Sequence, residues 1–229
     1  MAFPTTSILD TFNRANEGPY PSTNWDGKVL ANDGASWAVL ANQCKAGGGD
    51  NSRMYWKSTT FGPDCEAYCT IATVPISGTF SDIALLLRLQ QPGTGGAGGT
   101  TTDGYYIGWV HDTGTDSLIF YRIDNQAFTQ LGTTQTPLEM ANGHKFGASM
   151  IGSTLQAYVD TGGGWTTLGT PGSDPTYGAA GYIGILTGQS ASTIDDFGGG
   201  NVLSSTSSLP CAVSAPLTTA ITLRAFTMG

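Results

Sequence analysis

Charged residues are scarce in this sequence, and basic residues are the scarcest. Only 11% of the 229 residues are charged, and 9 Lys and Arg stand against 17 Asp and Glu, which gives a formal net charge of −8. A protein that binds nucleic acid presents a basic patch to the phosphates, and anionic membrane surfaces attract the same kind of patch. The few scattered basic residues therefore argue against nucleic acid and membrane surfaces as partners.

Long apolar runs are also missing. No stretch approaches the roughly 18 apolar residues that a membrane-spanning helix needs, so membrane insertion is not expected. The N-terminal residues MAFPTTSILD lack the order of a secretory signal, in which a basic segment precedes an apolar one. We therefore expect a protein made in a cytoplasm that leaves by another route, for example in a virus particle. Removal of a leader is the alternative.

Cysteines are few, and their spacing does not match a metal site. Cys65 and Cys69 lie in the predicted strand EAYCTIATV, about 13 Å apart, which is too far for a disulfide within the strand. Free cysteines are commonly buried, so we predict buried free thiols for Cys44, Cys65, Cys69 and Cys211. A bridge from Cys44 to Cys65 or Cys69 across neighbouring strands is the alternative.

Alternation of apolar and polar residues dominates the pattern, and no helical period is present. Turn sequences such as DTGTD, IGST, DTGGG and SDPTYG separate the alternating runs. Roughly a dozen short strands at intervals of about 8–12 residues are typical of an antiparallel sandwich or barrel. The predicted strands are 7–12, 36–46, 52–59, 65–74, 82–90, 104–112, 117–124, 127–132, 144–152, 153–160, 164–170, 180–188 and 192–200.

The predicted strand 82–90 contains one charged residue, Arg88, among apolar ones. Strict alternation places Arg88 with Ala84 and Leu86 on one face of the strand. A charge on that face indicates a surface that is partly open, as on a concave sheet. The opposite face would carry Ile83, Leu85, Leu87 and Leu89.

Composition changes after residue 202. The following segment, LSSTSSLPCAVSAPLTTAITLRAFTMG, is rich in Ser and Thr and ends in an apolar run. We therefore predict a main domain, residues 1–202, and a C-terminal linker and docking segment, residues 203–229. Ile221, Leu223 and Phe226 are the predicted assembly residues, which would add a strand to a sheet edge of a neighbour. A tail packed on its own domain is the alternative.

Both ends of the main domain resemble a known family. The opening LDTFNRANEG…NWDG and the closing GYIGILTGQSASTIDDFGGG are similar to the first and last strands of concanavalin A-like lectin/glucanase (LamG-like) jelly rolls, and DGYYIGWV and LQAYVD fit the middle strands. The resemblance implies an all-β, antiparallel jelly-roll β-sandwich in which the first and last strands are neighbours. Phe12 and Phe197 would then lie in the core, and Asn24 and Trp25 would cap one end.

Domains that this chain resembles occur in phage tail and other virion proteins and in bacterial surface proteins. With the missing leader and the C-terminal segment, the resemblance predicts a virion structural protein of a phage, tail-associated or capsid-decorating, with host glycans as a further ligand. It would associate with itself or with other virion proteins through residues 203–229. The alternative is a carbohydrate-binding module of a bacterial surface or secreted protein, which would bind cell-surface polysaccharide outside the cell.

Catalytic patterns are absent. Relatives that cleave glucans carry glutamates in an E-x-D-x-x-E pattern, because a retaining mechanism needs two carboxyl groups about 5 Å apart. The glutamates of this chain are Glu17, Glu66 and Glu139, none at that spacing. Asp195 and Asp196 are adjacent on a predicted strand and so point to opposite faces. G-x-S-x-G, H-E-x-x-H and P-loop motifs are missing as well, so the chain is predicted not to be an enzyme.

Sugar binding needs aromatic rings for stacking and polar groups that fix the orientation of the sugar. Arg88, Tyr106, Trp109 and Tyr121 are the predicted glycan-binding residues. Core packing is the alternative for the three aromatic residues, because such residues fill β-sandwich cores. An ion pair is the alternative for Arg88, because a buried lone charge must be paired or hydrated.

Calcium is the one cofactor that the resemblance implies. Many jelly rolls of this type hold a structural Ca²⁺ ion, which takes six to eight oxygen ligands. If the terminal strands pair, Asp10, Asp195 and Asp196 come together, and these are the predicted calcium ligands. Turn capping and hydrogen bonds at strand ends are the alternative roles of their side chains.

Overall fold

The computed structural model describes residues 2–27, 37–46, 52–78, 81–92 and 102–202. Within these ranges every regular element is a β-strand, so none of them is a helix that could span a membrane. The strands are β1 (Ile8–Asp10), β2 (Trp25–Gly27), β3 (Trp37–Leu40), β4 (Gln43–Ala46), β5 (Ser52–Trp56), β6 (Cys65–Thr73), β7 (Asp82–Gln90), β8 (Asp103–Val110), β9 (Ser117–Asp124), β10 (Ala127–Gln130), β11 (Lys145–Ile151), β12 (Thr154–Asp160), β13 (Thr166–Ser173), β14 (Tyr182–Thr187) and β15 (Thr193–Asn201).

Two antiparallel sheets form a sandwich, which confirms the predicted jelly roll. The eight-stranded sheet has the order β13-β12-β11-β6-β15-β4-β3, and β1 pairs with β15 beside this path. The seven-stranded sheet has the order β10-β9-β8-β7-β14-β5-β2. Strands β11, β12 and β13 are sequential neighbours, whereas β6 and β15 pair across most of the chain. The pairing of β1 with β15 joins the two ends of the domain in the same sheet.

The first and last strands lie side by side, as predicted. Ile8 on β1 is opposite Gly198 on β15, and both Phe12 and Phe197 are fully buried. The ring centroid of Trp25 lies 6.0 Å from that of Phe12 and 4.9 Å from that of Phe197. Trp25 is therefore a core residue rather than an end cap. It belongs to β2, which the pattern did not predict as a strand.

Period-two alternation builds the core from both sheets. On β8, for example, Tyr105, Ile107 and Trp109 face inward, and Tyr106 faces outward. The inward-facing residues form one apolar cluster. Its largest fully buried members are Phe12, Trp25, Trp37, Met54, Ile71, Ile83, Tyr105, Trp109, Phe120, Phe146 and Phe197.

Residues 37–46, which lie in the single predicted strand 36–46, form the hairpin β3–β4. The chain reverses at Ala41 and Asn42, whose φ angles are 52° and 63°. Positive φ at both central residues is the type I′ geometry, which suits two-residue hairpins and which Asn tolerates well. Alanine at the first position is not a turn former, so the sequence pattern gave no sign of the reversal.

The described cysteines are buried and free, which confirms the predicted thiols. Cys44, Cys65 and Cys69 lie in the core, without a disulfide. Burial raises the pKa of Cys65 to about 11, and it also raises the pKa of Cys44 and of Cys69. The reactive thiolate is therefore scarce at neutral pH. Cys211 lies outside the described residues.

We expect the three buried thiols to react slowly in the native protein. In a titration with Ellman's reagent at about pH 8, where an exposed thiol is substantially ionised, no more than one thiol per chain should react within minutes. In guanidinium chloride all four should react, because unfolding exposes them. Two or more fast thiols in the native protein would contradict the buried arrangement.

A carboxylate network holds the segment after β13 against the core. Arg122 pairs with Asp124 and Asp174, at 2.8 Å and 2.9 Å. The hydroxyl of Tyr105 donates a hydrogen bond to Asp174, and that of Tyr177 donates one to Asp124. Burial alone would raise the pKa of both carboxyl groups, but the hydrogen bonds that they accept outweigh it and lower the pKa of each.

We expect this network, together with the separate carboxyl group of Asp160, to make the fold acid-sensitive. The pKa values of Asp124, Asp160 and Asp174 are lowered in the folded state, so their contribution to stability is complete above the unfolded pKa of about 3.9 and is lost as pH falls through the folded values. The pKa of Asp195 is raised, chiefly by burial, so its contribution has the opposite sign.

The measurement is the Tm between about pH 7 and pH 3. The Tm should be nearly level above about pH 5 and should fall below about pH 4, and Asp174→Asn should reduce the slope of that fall. A Tm that stays level or rises below about pH 4 would contradict the role of these carboxyl groups.

Candidate functional site

Three aromatic rings form a cluster on the outer face of the seven-stranded sheet. Tyr106 on β8, Tyr121 on β9 and Phe128 on β10 come from adjacent strands, with ring centroids 5.7 Å to 5.9 Å apart in edge-to-face orientations. Alternation turns them away from the core, where their chain neighbours Tyr105 and Phe120 lie. We call Tyr106, Tyr121 and Phe128 the aromatic triad.

Tyr106 is the fixed base of the aromatic triad. Its ring lies over Gly108, where a Cβ atom would collide with it, so this close approach requires glycine. Its hydroxyl donates a hydrogen bond to the carboxylate of Asp82 on β7. Burial, together with the charge of Asp82, raises the pKa of Tyr106 well above its usual value. The phenol is therefore neutral and held in one position.

The other two rings present surface to solvent. Tyr121 is half-buried, and Phe128 is 39% exposed. The guanidinium carbon of Arg53 on β5 lies 5.7 Å from the centre of the Phe128 ring, within cation–π range. Gln130 is exposed on β10, opposite Tyr121. Partly exposed aromatic surface thus lies beside polar groups that could orient a ligand.

Arg88 does not lie on this outer face, contrary to the prediction. Its φ angle is 49°, and the pairing of β7 with β8 shifts between Leu87 and Gln90, so a β-bulge interrupts the alternation there. Arg88 consequently turns inward, and Leu89, which was expected in the core, joins the outer cluster. The predicted outward facing of Arg88 was therefore wrong, whereas Ala84 and Leu86 lie in the outer cluster with Tyr106.

Arg88 instead joins three loops from within. The side chain is 1% exposed and donates hydrogen bonds to the carbonyl oxygens of Pro63, Gly152 and Tyr177, the last two at 2.8 Å. The carboxylate of Asp64 lies 3.7 Å away. Arg88 therefore has the ion-pair role that was given as its alternative, and the three carbonyl oxygens accept its hydrogen bonds.

Trp109 is also unavailable to a ligand. Its side chain is fully buried in the core, and its indole Nε1–H donates a 2.8 Å hydrogen bond to Asp116. Core packing is therefore the role of Trp109. Of the four predicted glycan-binding residues, the structure brings together only Tyr106 and Tyr121.

The three predicted calcium ligands do not converge. The carboxylate of Asp10 accepts hydrogen bonds from the Trp25 indole at 2.9 Å and the Phe12 amide at 2.8 Å, and it pairs with Arg14 at 2.6 Å. Asp10 thus has the capping and ion-pair role. In the part of the chain that the structure describes, no group of three or more His, Cys, Asp or Glu side chains could hold a metal ion.

The strand that carries Asp195 and Asp196 is irregular at this point. The pairing of β15 with β6 shifts between Asp195 and Gly198, and Asp196 has a φ angle of 48°. Simple alternation therefore does not describe how these two side chains are directed. The predicted assembly residues Ile221, Leu223 and Phe226 lie outside the described residues, so the docking segment stays a prediction.

Comparison with known proteins places this geometry in context. No family model and no curated protein sequence matches the chain. The carbohydrate-binding module CBM66 from Bacillus subtilis is 17% identical, with a TM-score of 0.53 over 80% of this chain and 96% of that chain. The fold is a lectin-like jelly roll. The VIP36 exoplasmic/lumenal domain, in a form with Ca²⁺ and Man2 bound, is 12% identical, with a TM-score of 0.58 over 87% of this chain and 88% of that one.

A larger enzyme contains a similar domain. A xylan β-1,4-xylosidase from Bacillus halodurans C-125 is 14% identical, with a TM-score of 0.53 over 86% of this chain and 39% of the enzyme. This chain therefore matches less than half of the length of that enzyme. At these identities the likenesses establish the fold, and the ligand must be argued from the residues of this chain.

Phe128 and Arg53 were not among the predicted site residues. Phe128 could have been found, because the tight turn at Asn125 and Gln126 sets the β9–β10 register and places Phe128 diagonally from Tyr121. Arg53 carried no such indication, because β5 lies at the other side of the sheet order and is distant in sequence.

Proposed function

We propose that this chain is a carbohydrate-binding module that binds sugars at the aromatic triad without cleaving them. The observation that carries the proposal is the triad itself, in which the partly exposed rings of Tyr121 and Phe128 pack on the buried ring of Tyr106. Core packing does not explain the exposed surface of Phe128, and clustered exposed aromatic surface is typical of binding sites. The likeness to CBM66 and to a VIP36 domain with bound Man3GlcNAc supports the same class of ligand.

The members of the triad contribute differently to such binding. The exposed ring of Phe128 and the half-buried ring of Tyr121 offer apolar surface to the C–H face of a sugar ring. Gln130 and the phenol of Tyr121 offer hydrogen bonds to sugar hydroxyls. Tyr106 holds both rings in place from below, because it contacts each edge to face. A preorganised surface of this kind binds without ordering its own side chains.

Two of the three glutamates, Glu17 and Glu66, have structural partners, which supports binding without hydrolysis. Glu66 is buried, and its Oε1 atom accepts hydrogen bonds from the backbone amides of Thr5 and Thr6, at 2.6 Å and 2.8 Å. Glu17 pairs with Arg14 at 2.6 Å. Glycoside cleavage needs two carboxyl groups that face each other across a sugar, and neither of these side chains is free for that task.

We expect Tyr121→Ala and Phe128→Ala each to weaken polysaccharide binding about tenfold, which corresponds to about 1.4 kcal/mol for a lost stacking contact. Affinity gel electrophoresis against soluble xylan, mannan, levan and mixed-linkage β-glucan measures the effect. Leu40→Ala is the matched control, because Leu40 has the same exposed fraction as Phe128, 39%, and lies on β3 of the other sheet. Equal retardation of all variants would refute the triad as the binding surface.

The carbohydrate-binding reading, the alternative in the sequence analysis, is favoured over the virion reading. The similar structures include carbohydrate-binding and lectin-like domains, and they lend no support to a phage origin. A location in a virion or at a cell surface, and assembly through residues 203–229, stay predictions. Size-exclusion chromatography of the full chain and of residues 1–202 tests the assembly prediction, which requires the truncation to lower the oligomeric state.

A calcium requirement also stays a prediction. The similar VIP36 domain occurs in calcium-bound and metal-free forms. The aromatic triad and the neighbouring Gln130 offer rings, hydroxyls and one amide, so we expect polysaccharide binding by the triad to persist in excess EDTA. Loss of binding in EDTA and recovery with added Ca²⁺ would show instead that a metal ion organises the binding surface.

A further inference from the structure

A separate cleft lies on the outer face of the eight-stranded sheet, on the side of the sandwich opposite the aromatic triad. It has a volume of about 200 Å³. We call it the N-terminal cleft, because the segment before β1 contributes one wall. The residues that line it include Ile8, Tyr68, Thr70, Lys145, Trp165 and Asp196.

The indole of Trp165 is held firmly at this cleft. Its ring packs edge to face against Phe3, with centroids 4.9 Å apart. The loop that presents it is closed by Asp160, whose Oδ1 atom accepts hydrogen bonds from the amides of Gly162 and Gly164, at 2.8 Å and 2.9 Å. These hydrogen bonds also lower the pKa of Asp160, the Gly162 amide most of all. The loop is therefore anchored at neutral pH.

The N-terminal wall is anchored as well. Glu66, buried in β6, holds the backbone amides and the hydroxyls of both Thr5 and Thr6. Gly147 on β11 lies beneath Phe3 and Trp165, and a Cβ atom there would collide with both rings. Specific packing on the outer sheet face therefore shapes the cleft. The aromatic rings that form it lie outside the core, so core packing does not explain their presence.

Polar groups at the cleft are available to a ligand. Among the described residues none donates a hydrogen bond to the carboxylate of Asp196, and the Thr70 hydroxyl likewise has no partner there. Lys145 is exposed, and its ammonium group lies 3.9 Å from Asp160, too far for a strong ion pair. A carboxylate acceptor, a hydroxyl and an ammonium donor therefore surround an aromatic surface.

We propose that the N-terminal cleft is a second sugar subsite, which takes one neutral hexopyranose unit such as the end or a side branch of a polysaccharide. The inference rests on the proposed function for its class of ligand, but it concerns different residues on the other sheet. Sites for drug-sized ligands measure roughly 300–1,000 Å³, so a cleft of about 200 Å³ fits one sugar ring rather than a chain.

The charges at the cleft select against acidic sugars. Asp196 and Lys145 both line the cleft, and the ammonium group of Lys145 already lies 3.9 Å from a second carboxylate, that of Asp160. This excess of negative charge repels uronic and sialic acids, whereas neutral hydroxyl groups can donate to Asp196 and accept from Lys145.

Tryptophan fluorescence gives a readout that is specific to this cleft. Trp165 is partly exposed, whereas the other four indoles, those of Trp25, Trp37, Trp56 and Trp109, are buried. Acrylamide should therefore quench mainly Trp165. The probes are the methyl glycosides of glucose, galactose and mannose, with methyl glucuronide as the acidic comparison. At least one neutral glycoside should reduce acrylamide quenching, and the glucuronide should not.

Two variants separate the cleft from the aromatic triad. Asp196→Asn should weaken protection by the neutral glycoside about tenfold, and it should leave the fold intact because Asn tolerates the positive φ of this position. Phe128→Ala should leave the protection unchanged. Trp165→Ala should remove the quenchable fluorescence while retaining the polysaccharide binding of the triad.

Each outcome decides between the two sites. Absence of protection by all three neutral glycosides, or equal protection in wild type and Asp196→Asn, would overturn the cleft proposal. Protection that disappears in Phe128→Ala would overturn it too, because the ligand would then lie at the triad. Protection of Trp165 from acrylamide, with no retardation of the protein in polysaccharide gels, would support the cleft proposal and would count against binding at the triad.

Discussion

Replacing Arg88 by methionine should lower the free energy of unfolding by about 3–5 kcal/mol, the usual cost of removing one partner from a buried charged network. Methionine retains much of the volume but cannot donate to the carbonyl oxygens of Pro63, Gly152 and Tyr177. A carbonyl that loses its donor costs about 1–3 kcal/mol where it is buried and less where water reaches it. Three loops would lose their common attachment at once.

Equilibrium unfolding in guanidinium chloride measures this loss. Arg88→Lys should lose somewhat less, because an ammonium group keeps the charge but cannot match the fixed geometry of a guanidinium. Lys57→Met is the matched control, since it removes a positive charge from an exposed pair with Asp26 and should change stability by less than about 1 kcal/mol. A loss below about 1 kcal/mol in Arg88→Met would show that the inward-facing bulge does not stabilise the fold.

Replacing Asp116 by alanine should cost about 3–4 kcal/mol, the second largest effect. The buried carboxylate accepts hydrogen bonds from the indole of Trp109 and the amide of Met140, both at 2.8 Å. It also contacts Nδ1 of His111 at 2.9 Å. Alanine leaves two or three buried donors without an acceptor, at about 1–3 kcal/mol each, although removal of a buried charge recovers part of this cost.

The comparison for Asp116→Ala is Asp112→Ala in the same turn. Asp112 is exposed, and its carboxylate bonds chiefly to the adjacent residue Thr113. Its replacement should therefore change the unfolding free energy by about 0.5 kcal/mol or less. Near-ultraviolet circular dichroism should report altered packing of Trp109 in the Asp116 variant alone. Equal stabilities of the two variants would contradict the buried role of Asp116.

The pairing of the terminal strands and the burial of Phe12 and Phe197 were predictable from the resemblance of both ends of the domain to the family. Regular alternation assigned Tyr105, Ile107 and Trp109 to one face of β8 and Tyr106 to the other, because a regular pleat leaves only two choices. The resemblance of both ends of the domain to the first and last strands of the family then indicated the jelly roll.

The failures occur where the pleat is irregular. At Arg88 a bulge turns the side chain from the outer face to the inner one. An arginine in an apolar run gives no indication of the φ angle of 49° at this position. At Ala41 a hairpin turn uses a residue that is not a turn former. Alternation anticipates neither event, because it assumes one continuous and regular strand.

The functional surface was only half predictable for a related reason. Tyr106 and Tyr121 are on the correct face, but their partner Phe128 depends on the register of a hairpin, and Arg53 comes from a distant strand. Trp165 directly follows the glycine-rich turn DTGGG and belongs to the predicted strand 164–170, for which no binding role was predicted. An aromatic residue directly after a glycine run is an indication of an exposed ring that deserved consideration as a ligand contact.

The central claim is that this jelly roll binds polysaccharide without cutting it. Isothermal titration against the panel of xylan, mannan, levan and mixed-linkage β-glucan, with a reducing-sugar assay on the same samples, tests it most directly. The account predicts saturable binding to at least one polysaccharide and no release of reducing ends after prolonged incubation. Absence of heat across the whole panel, or a steady increase in reducing ends, would contradict it.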